Sequence, residues 1–168
     1  MKQLGHYETI AKMPKLDINC VLFLCEVSSE NTGLILRSAG AFGARTVYWY
    51  NKDKNILNDK IKKLARGSKT HLIDVNNFEV LSSLQLDGFL LVAIEITDDS
   101  TPLRTFDLPP KVCFVIGNEQ RGIPDEILKL VDKRCHIEMP NEDISSLNVS
   151  ISASIALYEL TTQRLETM

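Results

Sequence analysis

Polar side chains that could bind a ligand and assist its chemistry occur in three separate segments of the chain. The segments are residues 30–33 (ENTG), 117–122 (GNEQRG) and 139–148 (MPNEDISSLN), and Arg37 follows the first of them. Arginine, carboxylate and amide groups can together hold an anion and stabilise developing negative charge. Each segment follows an apolar run of strand length, and open parallel sheets bind ligands at the carboxyl ends of their strands. The three segments therefore predict one ligand site at that edge of a sheet.

Common nucleotide-binding and hydrolytic motifs are absent from the sequence. There is no GxGxxG after the first apolar run and no GxxxxGK[ST], which argues against a dinucleotide fold and a P-loop. There is no GxSxG, and none of the three histidines pairs with an obvious nucleophile. Gly117 and Gly122 alone indicate only a turn with positive φ.

The four cysteines lie inside or beside apolar runs and form no CxxC pair, which predicts buried thiols. Cys135 and His136 are adjacent, and adjacent residues of a strand point to opposite faces. No metal site is expected.

Charge gives a mixed indication about a nucleic-acid partner. The formal net charge is −3, whereas nucleic-acid binding usually leaves a basic footprint. Residues 52–71, however, hold seven Lys or Arg against two Asp. Taken alone, this stretch is most simply a solvated helix face.

The elements that must position the polar segments are short apolar strands separated by helical segments. The runs are CVLFLC (20–25), TVYWY (46–50), HLIDV (71–75), FLLVAIEI (89–96), VCFVI (112–116) and CHIEM (135–139). They are too apolar for half-exposed strands, so they predict a parallel α/β sheet with helices on both faces.

Size and composition fit one soluble domain covering residues 1–168, with an N-terminal extension at 1–17 and a core at 18–163. Hydrophobic residues make up 44% and charged residues 24% of the chain. No apolar run approaches the roughly 20 residues of a membrane helix, and the first residues lack the apolar stretch of a signal peptide. A cytoplasmic location is expected.

Five helices are predicted. The first begins at Asn31 as N-cap, carries the stripe Ile35, Ala39, Phe42 and ends at Gly43. Others are predicted at 55–66, at 77–86, at 124–131 after Pro124, and at 145–163.

The segment 145–163 alternates partly like a strand, but its length favours a helix. The spacing of Leu147, Ile151, Ile155 and Tyr158 predicts its apolar stripe, and Ser145 or Ser146 is the expected cap. The other side, rich in Ser and Ala, suits close contact with another helix, which could come from a second subunit.

Three sequence blocks together resemble the motifs of one enzyme family. They are N-x-G-x-x-x-R-x-x-x-x-F-G (31–43), F-V-I-G-N-E-x-x-G (114–122) and I-x-M-P followed by S-S-L-N-V-S (137–150). In order and spacing they resemble the SpoU/TrmH branch of the SPOUT RNA methyltransferases, over residues 18–163. One departure is I-E-M-P at 137–140, where the family commonly has I-P-M.

The resemblance implies a Rossmann-like parallel sheet whose C-terminal part forms a trefoil knot. It also implies a homodimer and a pocket for S-adenosylmethionine. Carried over by motif, the cofactor-binding positions are Ile94, Gly117, Ile137, Ser146 and Leu147.

The resemblance also implies the catalytic residues, of which Arg37 is the central one. A guanidinium stays protonated, so Arg37 is easier to understand as a phosphate and oxyanion clamp than as a general base. Asn31 would cap the helix and orient Arg37, and Glu119 would bond backbone or Arg37. Ser146 and Asn148 would contact cofactor or substrate, although a plain helix N-terminus explains them equally well.

The implied reaction is 2′-O-ribose methylation of RNA, with tRNA as the leading substrate and ribosomal RNA as the alternative. A dimer doubles the basic stretch, so Lys60, Lys63, Arg66 and Lys69 are the expected phosphate contacts. Two other hypotheses are a catalytically idle RNA-binding or assembly protein that keeps the fold, and a flavodoxin-like cofactor-binding module. The motif residues speak against both.

Overall fold

The computed structural model describes Gly5, Leu16 and residues 18–52 and 58–167. Most of the predicted N-terminal extension, residues 53–57 of the basic stretch and the predicted start of the second helix lie outside the described residues.

A seven-stranded sheet forms the centre of the protein, in the order β3-β2-β1-β6-β4-β7-β5, and every pair of neighbours is parallel. The strands are β1 (Asn19–Cys25), β2 (Thr46–Tyr50), β3 (His71–Val75), β4 (Leu90–Ile94), β5 (Thr101–Pro102), β6 (Lys111–Ile116) and β7 (Lys133–His136). The predicted parallel α/β class is confirmed. Only β5 lacks a predicted counterpart, because two residues give no apolar run.

Five α-helices and one 3-10 turn complete the described fold. The helices are α1 (Ser29–Phe42), α2 (Asn58–Ala65), α3 (Glu79–Leu86), α4 (Asp125–Leu128) and α5 (Val149–Glu166), and the 3-10 turn is Leu103–Thr105. All five predicted helices are present, with shifted ends. No described helix has the length and hydropathy needed to cross a membrane.

Both faces of the sheet are buried. Because successive residues of a strand point to opposite sides, neighbouring residues of one strand pack in different layers. Leu22 and Phe114 pack on the side of α1, α2 and α5. Phe23 and Val115 pack on the side of α3 and α4. The edge strand β3 is an exception to the prediction that every strand is covered, since three of its five residues are exposed.

Helix α1 begins earlier than predicted. Its N-cap is Ser28, whose hydroxyl accepts a hydrogen bond from the Asn31 backbone N–H at 3.3 Å. Asn31 therefore lies inside the first turn, and its side chain is free for contacts elsewhere in the fold. Gly43, at φ 83°, ends the helix as predicted, in the left-handed conformation that suits glycine.

Helix α5 begins at Val149, and its N-cap is Asn148 rather than Ser145 or Ser146. The predicted apolar stripe is not the buried face of the helix, since Ile151 is 50% and Tyr158 61% exposed. The small-residue side is buried instead, because it allows the close approach of α1, where the hydroxyls of Ser38 and Ser154 lie 2.7 Å apart. The buried residues include Ala153, Ala156, Leu157 and Leu160.

All four cysteines are buried and free, as predicted. Burial raises the pKa of the Cys135 thiol to about 11, so it is protonated at neutral pH. Among the described residues, no group of three or more His, Cys, Asp or Glu side chains could hold a metal ion.

Candidate functional site

A cavity of about 290 Å³ lies at the carboxyl edge of the sheet. Its walls come from the segments that follow β4, β6 and β7 and from the start of α5. The structure thus brings the second and third polar segments together, as expected for a parallel sheet. All five residues predicted to hold the cofactor line this cavity: Ile94, Gly117, Ile137, Ser146 and Leu147.

Close backbone packing after β6 explains why residue 117 is a glycine. A Cβ atom on Gly117 would lie 2.4 Å from the carbonyl carbon of Gly122. Asn118 and Gly122 exchange two backbone hydrogen bonds of 2.9 Å, which close the segment into a tight turn. Of the two glycines, only Gly122 has positive φ, at 66°. Gly117 is therefore needed for space rather than for its dihedral angle.

Asn118 anchors this turn to the end of β1. Its side-chain amide donates to the backbone carbonyl of Glu26 at 2.7 Å, and its side-chain oxygen accepts from the backbone N–H groups of Gln120 and Arg121. Arg121 adds an ion pair with the Glu26 carboxylate at 2.7 Å. The turn is therefore held on both sides before any ligand binds.

Glu95, which the motifs do not include, connects the segment after β4 to β7 and to the segment after β6. Its backbone N–H donates to the carbonyl of Cys135 in β7 at 2.9 Å. Its carboxylate accepts from the backbone N–H of Ile123 at 3.2 Å and from that of Ile96 at 3.1 Å. A lone glutamate near the end of an otherwise apolar run is the signal that could have identified it.

A hydrogen-bonded network connects the first polar segment to the other two. The Asn31 amide donates to the Glu119 carboxylate, which also accepts from the Ser28 hydroxyl at 2.8 Å. The Asn31 side-chain oxygen accepts from the Asn148 amide at 3.2 Å. Asn148 in turn accepts from the backbone N–H of Ser150 at 2.9 Å. The network holds together the start of α1, the segment after β6 and the start of α5.

The same network sets the charge state of Glu119. Partial burial acts to raise the pKa of its carboxyl, but hydrogen bonds from Asn31 and Ser28 outweigh burial and hold the pKa below its ordinary value. Glu119 is therefore an anion at neutral pH.

Arg37 lies away from this cavity. Its side chain is exposed and lines a separate groove of about 790 Å³ between α1 and residues 65–70. The predicted contact between Asn31 and Arg37 is wrong, because Arg37 lies six residues beyond Asn31, about 9 Å along the helix and on another side of it. Glu119 was predicted to bond backbone or Arg37, and the backbone alternative is confirmed, since its carboxylate accepts from the Ser28 N–H at 3.3 Å. Across the described residues, no hydrogen bond or ion pair of Arg37 is present.

The four predicted phosphate contacts differ in their surroundings. Lys60 pairs with Glu30 at 2.7 Å near the start of α1, and both side chains are about half exposed. Lys63 is exposed on α2. Arg66 and Lys69 are exposed and line the groove of Arg37.

Ser146 and Asn148 differ in surroundings although they are two residues apart. Ser146 is exposed and lies in the cavity wall. Asn148 caps α5 and takes part in the Asn31 network. Both roles weighed from the sequence, helix N-terminus and site residue, are thus compatible with the position of Asn148.

The parallel sheet and the preformed cavity at its carboxyl edge define an α/β ligand-binding domain. The model of the SpoU rRNA methylase family matches residues 19–158. The chain belongs to that family.

Individual relatives agree with this assignment. The chain is 30% identical to a tRNA (guanosine(18)-2′-O)-methyltransferase of Aquifex aeolicus, over 98% of this chain and 78% of the relative. It is 34% identical to the 23S rRNA (guanosine-2′-O-)-methyltransferase RlmB of Xylella fastidiosa, over 80% of this chain and 55% of the relative. The chain thus spans little more than half of the RlmB relative.

A solved structure shares the fold. The SpoU methyltransferase AviRb from Streptomyces viridochromogenes, in complex with the cofactor AdoMet, superimposes with a TM-score of 0.80 at 27% identity. The match covers 91% of this chain and 63% of AviRb.

Proposed function

We propose that this protein transfers a methyl group from S-adenosylmethionine to a ribose 2′-hydroxyl of RNA. The observation that carries the proposal is the convergence of the three motif segments, joined by the Asn31, Glu119 and Asn148 network beside one cavity. The relatives named for 2′-O-methylation of tRNA and rRNA support the same reaction. tRNA is the leading substrate and ribosomal RNA the alternative.

The cavity suits S-adenosylmethionine in polarity and charge. Ile94, Ile116 and Leu147 give it an apolar surface, and Glu95 and Glu119 belong to its wall. No Lys or Arg belongs to the described wall, which favours a cationic sulfonium. Its volume is at the lower end of the roughly 300–1,000 Å³ usual for ligand pockets.

The residues that would hold the donor are those predicted from the motifs: Ile94, Gly117, Ile137, Ser146 and Leu147. When bound, S-adenosylmethionine supplies an electrophilic methyl group. The chain itself contributes a wall, held by the Glu95 and Asn118 contacts, that would fix the orientation of what binds there.

We assign Arg37 to the RNA rather than to the donor. In its groove Arg37 lies beside Arg66 and Lys69, and the described residues that line the groove include no Asp or Glu. Such a surface can bind backbone phosphates of RNA and bring a guanidinium to the oxyanion that develops on the ribose. Lys63 and Lys60 would extend it, although Lys60 must first leave Glu30.

We propose further that the active form is a homodimer in which α5 packs on its counterpart. The exposed residues Ile151, Tyr158 and Leu165 recur every seven positions and so form one apolar stripe on α5. Phe42 of α1 meets Tyr158 edge to face, with 6.2 Å between ring centroids, and widens the stripe. A dimer at this surface would let Arg37 of one protomer serve the cavity of its partner.

The cytoplasmic location and the trefoil knot remain further parts of the proposal.

A methyl-transfer assay tests the proposed function. Purified protein is mixed with labelled S-adenosylmethionine and either bulk tRNA or ribosomal RNA, and the modified ribose is mapped by its resistance to alkaline cleavage. We expect transfer to tRNA, and loss of transfer in Arg37→Ala with donor affinity unchanged. Donor binding without transfer to either RNA would favour the idle RNA-binding alternative instead.

A further inference from the structure

His136, the last residue of β7, stands where two cavities meet. The residue lines the 290 Å³ cavity proposed for the donor and also an adjoining cavity of about 520 Å³. The third motif begins one residue later, at Ile137, so the resemblance assigns no role to this histidine.

Hydrogen bonds in the turn after β4 determine which imidazole nitrogen carries the proton. The Ser100 hydroxyl donates to the Thr97 carbonyl at 2.7 Å and accepts from the Thr97 backbone N–H at 3.1 Å. The same hydroxyl lies 3.0 Å from His136 Nδ1. A hydroxyl has a single proton to donate, and the shorter contact to Thr97 uses it. Nδ1 must therefore donate to Ser100.

The neutral ring consequently carries its proton on Nδ1 and leaves Nε2 as an acceptor. Over the ranges 18–52 and 58–167, no protein group donates to Nε2. Ser100 thus both orients the ring and selects its tautomer, as a hydrogen bond at one ring nitrogen does for the other.

We propose that His136 Nε2 accepts a hydrogen bond from an N–H or O–H group of S-adenosylmethionine. Such groups occur on the adenine, the ribose and the amino acid portion of the donor. The inference rests on the proposed function, since it takes the 290 Å³ cavity as the donor site. It adds a polar side-chain contact to the five cofactor-binding positions that the motifs predict.

Two substitutions separate this role from a structural one. His136→Asn places an amide near the position of Nδ1 and can keep the Ser100 contact, but it does not reach as far as Nε2. His136→Gln reaches the Nε2 position with an acceptor oxygen. We expect the Asn variant to bind S-adenosylmethionine and S-adenosylhomocysteine about five- to tenfold more weakly by calorimetry, as for loss of one neutral hydrogen bond, and the Gln variant to recover most of this affinity.

A second ligand locates the donor group. 5′-Methylthioadenosine has the nucleoside but lacks the amino acid portion, so an equal loss for this ligand in His136→Asn assigns the contact to the nucleoside. A loss confined to S-adenosylhomocysteine assigns it to the amino group. Imidazole ¹⁵N spectra of the labelled native protein provide an independent readout, and we expect the Nδ1–H tautomer before and after ligand binding.

Unchanged affinity in His136→Asn, equal losses in both variants, or an Nε2–H tautomer would overturn the inference. If the native chain binds none of these ligands, the donor assignment of the cavity fails as well. That result is distinguishable from failure of the His136 contact alone, in which the native chain binds and the Asn variant binds equally well.

Discussion

At the scale of single residues, Asn31 links two parts of the site because it uses both ends of its amide. Its nitrogen donates to Glu119 and its oxygen accepts from Asn148, and the residue is only 9% exposed. Neither alanine nor aspartate can replace both contacts. An aspartate would set a second carboxylate against Glu119.

We expect Asn31→Ala to lower the free energy of unfolding by about 1–3 kcal/mol, the cost of leaving buried polar partners unsatisfied. Urea denaturation measures this change in the free energy of unfolding. Asn76→Ala is the control, since Asn76 is exposed in the turn after β3 and should change stability by less than about 0.5 kcal/mol. Similar values for the two variants would show that the network contributes nothing.

Glu119 should make stability depend on pH in the acid range. Its folded-state pKa is lowered, by hydrogen bonds from Asn31 and Ser28 that outweigh burial, so the carboxylate stabilises the fold above its unfolded-state pKa. This contribution is lost as the pH falls through the folded-state pKa. Glu119→Gln should therefore be less stable than the native chain at neutral pH, with the gap closing in acid. Denaturation of both proteins between about pH 3 and 7 measures the gap, and a gap that widens in acid would contradict the assignment.

At this scale, the motifs predicted positions that line the cavity, whereas the contacts of the residues that support them could not be predicted. The resemblance singled out Gly117 and Ile137, and both residues line the 290 Å³ cavity. Glu95 and His136 escaped because their partners lie 28 and 36 residues away in sequence, so no local pattern records the contact. The resemblance implied a catalytic role for Arg37, but its separation from Glu119 depends on which side of α1 it occupies.

At the scale of elements, α1 and α2 approach each other closely at Gly33. A Cβ atom on Gly33 would lie 2.8 Å from the Leu64 Cβ and 3.0 Å from the Ile61 carbonyl oxygen. Both neighbours are parts of the chain that cannot rotate away.

We expect Gly33→Ala to destabilise the protein by about 1–3 kcal/mol through overpacking. Helix propensity alone predicts the opposite sign, a gain of roughly 1 kcal/mol for alanine over glycine within a helix. Chemical denaturation decides between the two. A gain in stability would mean that the helices are not in close contact at this position.

The helices and strands themselves were predicted better than the residues at which helices begin or the faces that they bury. Apolar runs identify parallel strands because both faces of the sheet are covered. The caps were misplaced because several cap-forming residues precede each helix, and only the fold selects Ser28 and Asn148 among them. The buried face of α5 was misassigned because Ala153 and Ala156 pack more closely than the larger Ile151 and Tyr158.

At the scale of the whole molecule, the apolar stripe of α5 predicts the oligomeric state. We expect Tyr158→Glu to convert a dimer to a monomer without unfolding it, since Tyr158 is 61% exposed and a buried charge at the interface is costly. Light scattering after size-exclusion chromatography measures the mass. Leu86→Glu is the matched control: Leu86 is 89% exposed on α3, whose core contacts lie on the opposite face of the sheet, and should leave the mass unchanged. A native monomer, or dissociation in both variants, would contradict an interface at α5.

The groove beside Arg37 makes a prediction about ionic strength. Each phosphate contact releases counterions, so the logarithm of the RNA association constant falls with the logarithm of salt concentration by about 0.7–0.9 per contact. Arg66→Gln and Lys69→Gln should each reduce the slope by about this amount, whereas Lys60→Gln should reduce it less, because Lys60 already has Glu30 as partner. Lys133→Gln controls for net charge, since Lys133 is exposed at the start of β7 and is not among the residues that line the groove. Equal reductions in all four variants would mean that RNA responds to total charge, and the groove would then have no special part in binding.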